Sequence, residues 1–453
     1  MNFFKLIAVL SHVDINEQEV SFCRETLKTM HNDLQTQERF FDYCKTWKMA
    51  AWVNVQLKKH HLTHLLLQQT IKQFEEFHQK IMHENESRNQ VARLFLKIFC
   101  EKNIDVIILK GNLFAHTVYH DVGYKKMNDF DLLIKQEDWA KVQNIYFDLG
   151  FIPMGFGWGG EKQKPTKFSH TAIPFISSDF KCIIGTQWGL KSPTAPYKIN
   201  IDEAWKTSLP FTFQGLPCKQ LSPEYNALHL ILHLGIYKCG IRDCMDIYNL
   251  FSVNKPDENK LFSLLEQSNA IEKASFTFEI SNLCSDRILK NFRLRLNVNP
   301  KSFIGRRITK RKKMHVETED FQLSYNDYFQ DIEKNVLYLN IFPLFHQRIY
   351  FYAKILRLIF LPDKEHCLKF IDKPHQPTLL NRIKGRIAGP YFAFSMIAQE
   401  IGRKVTTLLF IKLFFDVLIS PVNYIIPRES YFDYLRKKNI DPEQIKKAVR
   451  NVQ

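Results

Sequence analysis

The chain has little that would mark it for export or for crossing a membrane. Its first ten residues are apolar, but they carry Lys5 in their middle and run directly into Ser11-His12-Val13-Asp14, without the long apolar core and small-residue cleavage site of a signal peptide. The expectation is a protein that is not secreted. An uncharged run of spanning length is also missing: the apolar stretch Val405 to Ile419 contains Lys412 and Asp416 and falls short of the ~20 residues a spanning helix needs. The nine cysteines are odd in number and scattered without a paired framework, so reduced cytosolic thiols are expected rather than a disulfide scaffold. Acids are outnumbered, with 47 Asp and Glu against 63 Lys and Arg, a formal charge of +16. A basic surface favours an anionic partner, whether nucleotide, nucleic acid, anionic lipid or acidic polymer, without choosing among them. The hydrophobic and charged fractions are ordinary, which excludes a disordered or fibrous chain, and 453 residues suffice for two or three domains.

What the chain does have is concentrated between Val106 and Ile134, VIILKGNLFAHTVYHDVGYKKMNDFDLLI. The apolar run Val106-Ile107-Ile108-Leu109 predicts a buried strand, Lys110-Gly111 a tight turn, and Leu113 to Tyr119 a helix. Asp129-Phe130-Asp131, followed by Leu132-Leu133-Ile134, predicts a second strand. Strand side chains alternate faces, so Asp129 and Asp131 point one way and Phe130 and Leu132 the other. Two carboxylates on one rigid face suit a divalent cation such as magnesium, which takes oxygen ligands and leaves positions open for substrate phosphates. The turn at Gly111 lets backbone N–H groups at a helix start approach an anion, with the Lys110 charge beside them. Together the halves predict a site for phosphate and metal. Alone, a Lys-Gly turn is usually only a turn, and Asp-x-Asp usually a solvated strand end.

The order of these motifs resembles a known family, the uncharacterised nucleotidyltransferase-like proteins of the polymerase-beta-type superfamily. The resemblance rests on Leu109-Lys110-Gly111, Tyr119, Gly123 with Lys125 where the family usually has arginine, and Asp129-Phe130-Asp131. It continues in Leu149-Gly150-Phe151, in Ile201-Asp202-Glu203-Ala204-Trp205, and in Leu221-Ser222-Pro223-Glu224 with His229, His233 and Asp246, so that it spans Gln90 to Phe251. It implies an α+β fold in which a small mixed sheet forms a nucleotidyltransferase core between helical N-terminal and C-terminal lobes. It also implies a nucleoside triphosphate with magnesium or manganese, the nucleotide held by Lys110, Gly111, Asn112 and Lys125 and the metal by the catalytic pair Asp129 and Asp131. The reaction implied is transfer of a nucleoside monophosphate to a hydroxyl of an acceptor that the sequence does not identify. The family's third carboxylate lies on a later strand, in an Asp-Leu-His-Trp element, and the corresponding residues here are Gly185-Thr186-Gln187-Trp188. The acid and the histidine are both missing, and Asp179 and Asp202 lack the family's spacing. A second expectation follows, a catalytically degenerate nucleotide-binding or interaction protein.

The remaining chain divides into a helical region 1–89, the core 90–220, a helical region 221–290 packing on it, and a basic, mainly helical region 291–453. Apolar residues recur at helical intervals from Glu17 to Cys100, with Glu84-Asn85-Glu86-Ser87 expected to end one helix and cap the next. Glu137-Asp138-Trp139 opens a helix that Leu149-Gly150 closes, and Gly155 to Gly160 reads as a loop or hairpin rather than a nucleotide cradle. Phe211 to Gly215 reads as a strand and turn, and Ser222-Pro223-Glu224 as a helix start. His229 and His233 share a helix face, but with Cys239 and Cys244 they fit no standard zinc module. Arg242, Asp243 and Asp246 suit substrate contacts or ion pairs equally. The cationic run from Lys301 to Lys313 reads as a charged interdomain loop, and nucleic acid stays among the candidate partners. Arg348 to Leu361 forms a basic amphipathic helix, and Tyr431 to Val452 a polar one. The location expected is cytoplasmic, with peripheral contact to an anionic membrane as the second reading of the basic C-terminal helices.

Overall fold

A computed structural model describes residues 3–155, 161–166, 169–234, 241–284, 378–408 and 431–452, with isolated positions between them. Residues 156–160, Cys239, the cations of 306–313, Glu317, Glu319 and Asp320, and most of 348–361 and 409–419 lie outside the described residues. The chain divides into two compact units, Met1–Asp138 with Asn200–Leu234 and Cys239–Gln322, and Trp139–Ile199 with Gly235–Lys238 and Leu323–Gln453.

The first unit begins with helices α1 (Phe3–Leu10), α2 (Glu17–Lys28), α3 (Leu34–Thr46), α4 (Ala50–Lys59) and α5 (Gln68–Glu101). Asn16 and Glu19 start α2 as a reciprocal pair, the Asn16 side chain accepting from the Glu19 N–H and the Glu19 carboxylate from the Asn16 N–H, each at 2.9 Å. α5 runs unbroken for 34 residues through Glu84-Asn85-Glu86-Ser87, where the sequence predicts a break. The Asn85 side chain is committed to distant backbone carbonyls, so it does not compete for the backbone of its own helix.

Strand β1 (Val106–Ile108) pairs antiparallel with β2 (Phe130–Ile134) and parallel with β7 (Leu216–Gln220), which pairs antiparallel with β6 (Leu209–Phe213). Burial of every β1 residue explains its continuous apolar run, since a central strand is covered on both faces. The β6–β7 hairpin closes on Gln214 and Gly215, both at positive φ, as a two-residue turn requires. Helices α6 (Lys110–Thr117), α8 (Ile201–Lys206), α9 (Pro223–His233), α10 (Ile241–Asn254), α11 (Glu258–Gln267) and α12 (Ile271–Cys284) complete this unit. Ser222 caps α9 by accepting from the Tyr225 N–H at 3.3 Å, with Pro223 in its first turn, as the sequence predicts.

In the second unit α7 (Trp139–Asp148) ends at Gly150, which takes the positive φ of a helix C-cap. Strands β3 (Ile152–Pro153), β4 (Phe175–Ile176) and β5 (Ile183–Gln187) pair antiparallel in that order. The described C-terminal helices are α13 (Leu379–Ile401), α14 (Tyr431–Lys437) and α15 (Pro442–Val452). Tyr431, Leu435 and Ile445 pack with Ile152, Ile176 and Ile183 in one core. The single helix expected over 431–452 is two, because Asn439 turns left-handed and Asp441, accepting from the Glu443 N–H at 3.0 Å, starts a new helix at Pro442. The fold is α+β, with mixed strand pairing and flanking helices, as the sequence resemblance implies. Among the described residues no helix is long and apolar enough to cross a membrane.

Candidate functional site

The ladder between β1 and β2 continues one step past Ile108, with the Leu109 N–H donating to the Asp131 carbonyl at 3.1 Å. The chain then leaves the sheet through Lys110, whose φ is +52°. A left-handed conformation costs a non-glycine residue about 1–2 kcal/mol. Sequence reasoning assigns the turn's freedom to Gly111, whereas the structure puts the left-handed residue at Lys110 and packs Gly111 closely against its neighbours. A Cβ there would lie 3.3 Å from Lys125 Cε and 3.4 Å from Tyr124 Oη.

This turn brings the Lys110 ammonium to 2.9 Å from Asp131 Oδ2. Asp129 sits one residue before β2, and its carbonyl accepts from Asn112 Nδ2 at 3.0 Å, which ties the start of α6 to the acid pair. Burial alone would depress the Lys110 pKa, but the Asp131 and Asp129 carboxylates outweigh it and hold the ammonium above its usual range. Both carboxylates therefore act on one cation. Lys110, Gly111, Asn112, Asp129 and Asp131 come together at this turn.

Lys125 does not join them through its charge. Its side chain passes over Gly111 and pairs with the buried Asp246 on α10, 121 residues away. Asp246 Oδ2 takes Lys125, while Oδ1 accepts from the Tyr119 hydroxyl at 2.9 Å. Asn249, one turn on from Asp246, donates to Tyr119 Oη at 3.2 Å and to the Ser11 carbonyl at 2.9 Å, and accepts from the Val13 N–H at 2.9 Å. The Tyr119 and Tyr124 rings stack at 3.9 Å. Burial, and then the Asp246 charge, push both phenols well above their usual pKa, so both stay protonated. Arg242 lies 3.4 Å from Asp243, so of the two roles open to these α10 residues the structure displays ion pairing.

The loop that carries Lys125 is fastened to α5. Asn85 Nδ2 donates to the Val122 and Lys125 carbonyls at 2.7 and 2.9 Å, and its oxygen accepts from the Met127 N–H at 3.2 Å. His78 Nε2 lies 3.0 Å from Asp121 Oδ2, and Asp121 Oδ1 accepts from the Gly123 N–H at 2.6 Å. Gly123 is tightly packed: a Cβ there would lie 2.7 Å from His78 Nε2 and 3.0 Å from Met82 Cβ, so a larger residue forces one of them to shift. Sequence reasoning missed Asn85, His78, Tyr124 and Asn249. The spacing of Asn249 to Asp246 on one helix was the single available signal, because the other partners are dozens of residues apart.

Gly185, Thr186 and Gln187 lie on β5 in the second unit, with Thr186 Oγ1 and Tyr146 Oη 2.9 Å apart and Gln187 buried. Asp179 accepts from Ser177 Oγ at 2.5 Å and from the Lys181 N–H at 3.1 Å, which commits one of its oxygens to a turn, and Asp202 sits in the first turn of α8. The His229 and His233 rings are 6.3 Å apart on α9, and among the described residues no three or more metal-ligating side chains cluster. The donor set at Asp129 and Asp131 is all oxygen, the kind a hard divalent cation takes, and the Lys110 ammonium occupies Asp131 Oδ2 in this structure.

No curated protein and no solved structure matches the chain. The family model of uncharacterised nucleotidyltransferases matches residues 33–284, wider on both sides than the stretch Gln90 to Phe251 that carries the sequence resemblance. It takes in α5 and α10, the two helices that fix the Lys125 loop, and it covers more than half of the chain. By that match the chain belongs to the uncharacterised nucleotidyltransferase family.

Proposed function

We propose that the chain transfers a nucleoside monophosphate from a magnesium nucleoside triphosphate to a hydroxyl of an acceptor. The observation that supports this most is the Lys110 ammonium seated on Asp131, with Asp129 beside it and tied through its carbonyl to Asn112 in α6. Asp129 and Asp131 would hold the cation, which when bound neutralises phosphate charge and aligns the triphosphate. Lys110 would offer its ammonium to phosphate oxygens at the start of α6, where no side chain caps the helix N–H groups. Lys125 and Gly111 shape the wall of this turn, and Asp246 fixes Lys125. The acceptor oxygen bonds to the α-phosphorus as the bridging P–O bond breaks, pyrophosphate leaves, and the hydroxyl proton passes to water. Positioning and charge neutralisation supply most of the rate in such a reaction.

Calorimetry with nucleoside triphosphates, with and without magnesium, tests the site on the wild type and on Asp129→Asn/Asp131→Asn. Magnesium-dependent binding that the double variant loses is the expected result, and equal binding by both proteins refutes the assignment. A second reading, binding without transfer, draws support from Gly185 and Gln187, which put neither acid nor histidine on β5. Magnesium-dependent binding without pyrophosphate release for any acceptor tried would favour it.

A further inference from the structure

Exposed apolar side chains are not scattered evenly over this protein. Among the described residues fifteen large ones are exposed, and all but Leu34, Leu94, Leu209 and Val253 fall between Leu356 and Phe415 in the second unit. Helix α13 carries the most regular set. Ile383, Ile387 and Tyr391 recur at four-residue steps and are 46, 75 and 62% exposed, with Leu379 and Leu380 continuing the row at its N-terminal end. Four-residue spacing on a helix makes one stripe. Exposed Lys384 runs along one flank and exposed Arg386 along the other. The opposite face is anchored: Asn381, Gly385 and Phe392 are buried, and a Cβ on Gly385 would collide with the Cys367 carbonyl oxygen. Isolated described positions of the same unit add to the set, Leu356, Arg357 and Phe360 before α13 and Lys404, Leu408, Ile411 and Phe415 after it, all exposed.

A helix of a soluble domain turns such a stripe towards the core, so a contiguous exposed one marks a partner. The flanking cations decide which. An apolar stripe between lysine and arginine matches a lipid interface, where the apolar side chains enter the acyl boundary and the long cationic ones reach back to the phosphates. Spanning does not fit, because the first turns of α13 carry Arg382, Lys384 and Arg386 and no described helix meets the length and apolarity it needs. We propose that α13 docks this protein onto an anionic lipid bilayer, lying in its surface. The proposal rests on exposure and charge and is independent of nucleotidyl transfer.

Sedimentation of the full chain with vesicles tests it, using phosphatidylcholine alone and an equal mixture of phosphatidylcholine and phosphatidylglycerol. The wild type is expected to pellet with the mixed vesicles, to stay in solution with phosphatidylcholine alone, and to be released by high salt. Each cation near an anionic surface is worth a factor of about five, so Lys384→Glu/Arg386→Glu should weaken partitioning ~25-fold or more. Ile383→Ser/Ile387→Ser/Tyr391→Ser should weaken it more than about a hundredfold at low salt. All five positions are exposed, and an unchanged circular dichroism spectrum separates lost docking from lost folding. A wild type that stays in solution with the mixed vesicles, or variants that pellet as it does, would overturn the proposal. So would equal pelleting with phosphatidylcholine alone, or a stable oligomer that the serine variant dissolves while no vesicle is bound, which would assign the stripe to a protein partner.

Discussion

Asp246 is the residue on which the described geometry makes its sharpest demand. Asp246→Ala strands two donors at once, the Lys125 ammonium, whose side chain is only 12% exposed, and the buried Tyr119 hydroxyl. Removing one partner of a buried ion pair costs about 3–5 kcal/mol. A buried hydroxyl left without its acceptor costs about 1–3 kcal/mol, and because the two losses share one network they do not simply add. The expected loss is therefore ~4 kcal/mol. Asp246→Asn keeps one acceptor oxygen for Tyr119 but turns an NH2 towards the Lys125 ammonium, so it should cost less than Asp246→Ala while still leaving the buried charge unpaired. Lys125→Met added to Asp246→Ala removes the stranded charge, so the double variant should be more stable than the two single losses summed, with a coupling of at least ~2 kcal/mol. Urea unfolding of the four proteins, followed by tryptophan fluorescence, measures this coupling. A value below ~0.5 kcal/mol, the range of independent sites, would refute a load shared between Lys125 and Asp246.

Gly123→Ala should lower stability by about 1–3 kcal/mol, since His78, held by Asp121, cannot retreat from the new methyl group; an unchanged melting temperature would refute this. Asn85→Ala should cost about 3 kcal/mol and raise hydrogen exchange at the amides of Gly123 to Met127 ahead of those of β1; uniform exchange would show that Asn85 does not hold the loop. Tyr119 carries a raised pKa in the fold, so as pH climbs past ~10 the unfolded chain loses that proton first and stability falls with pH. Lys110, also raised, adds to the same slope. Tyr119→Phe should flatten the alkaline fall in melting temperature by one proton's share, and an identical slope would contradict the assignment.

The strand, turn, helix and strand of 106–134 could be read directly from the sequence, because an apolar run, a breaker and alternating carboxylates are local signals. The meeting of Lys110 with Asp131 follows from them, since adjacent antiparallel strands must bring that turn beside β2. The destination of Lys125 was not legible: it reads as a phosphate ligand by motif, but its partner Asp246 is set by the packing of α10, which no local pattern encodes. The same limit explains the break expected at Glu84 to Ser87. Polar residues inside a helix look like a terminus until their distant partners are known, and the partners of Asn85 are backbone groups of the loop at Val122 to Met127. Helix α13 had no counterpart in the sequence reading, and which of its faces stays in solvent depends on how Gly385 seats against Cys367.

The fastening of the Lys125 loop also limits how the protein can be trimmed. Asn85 and His78 hold that loop from the middle of α5, and Asn249, which braces Tyr119, is pinned in turn by backbone groups of Ser11 and Val13. A fragment starting at residue 90 would keep every acid of the candidate site and lose these restraints. The early helices are thus structural foundations for the turn at Lys110, and the shortest piece that still sets Lys125 across Gly111 must begin before Ser11.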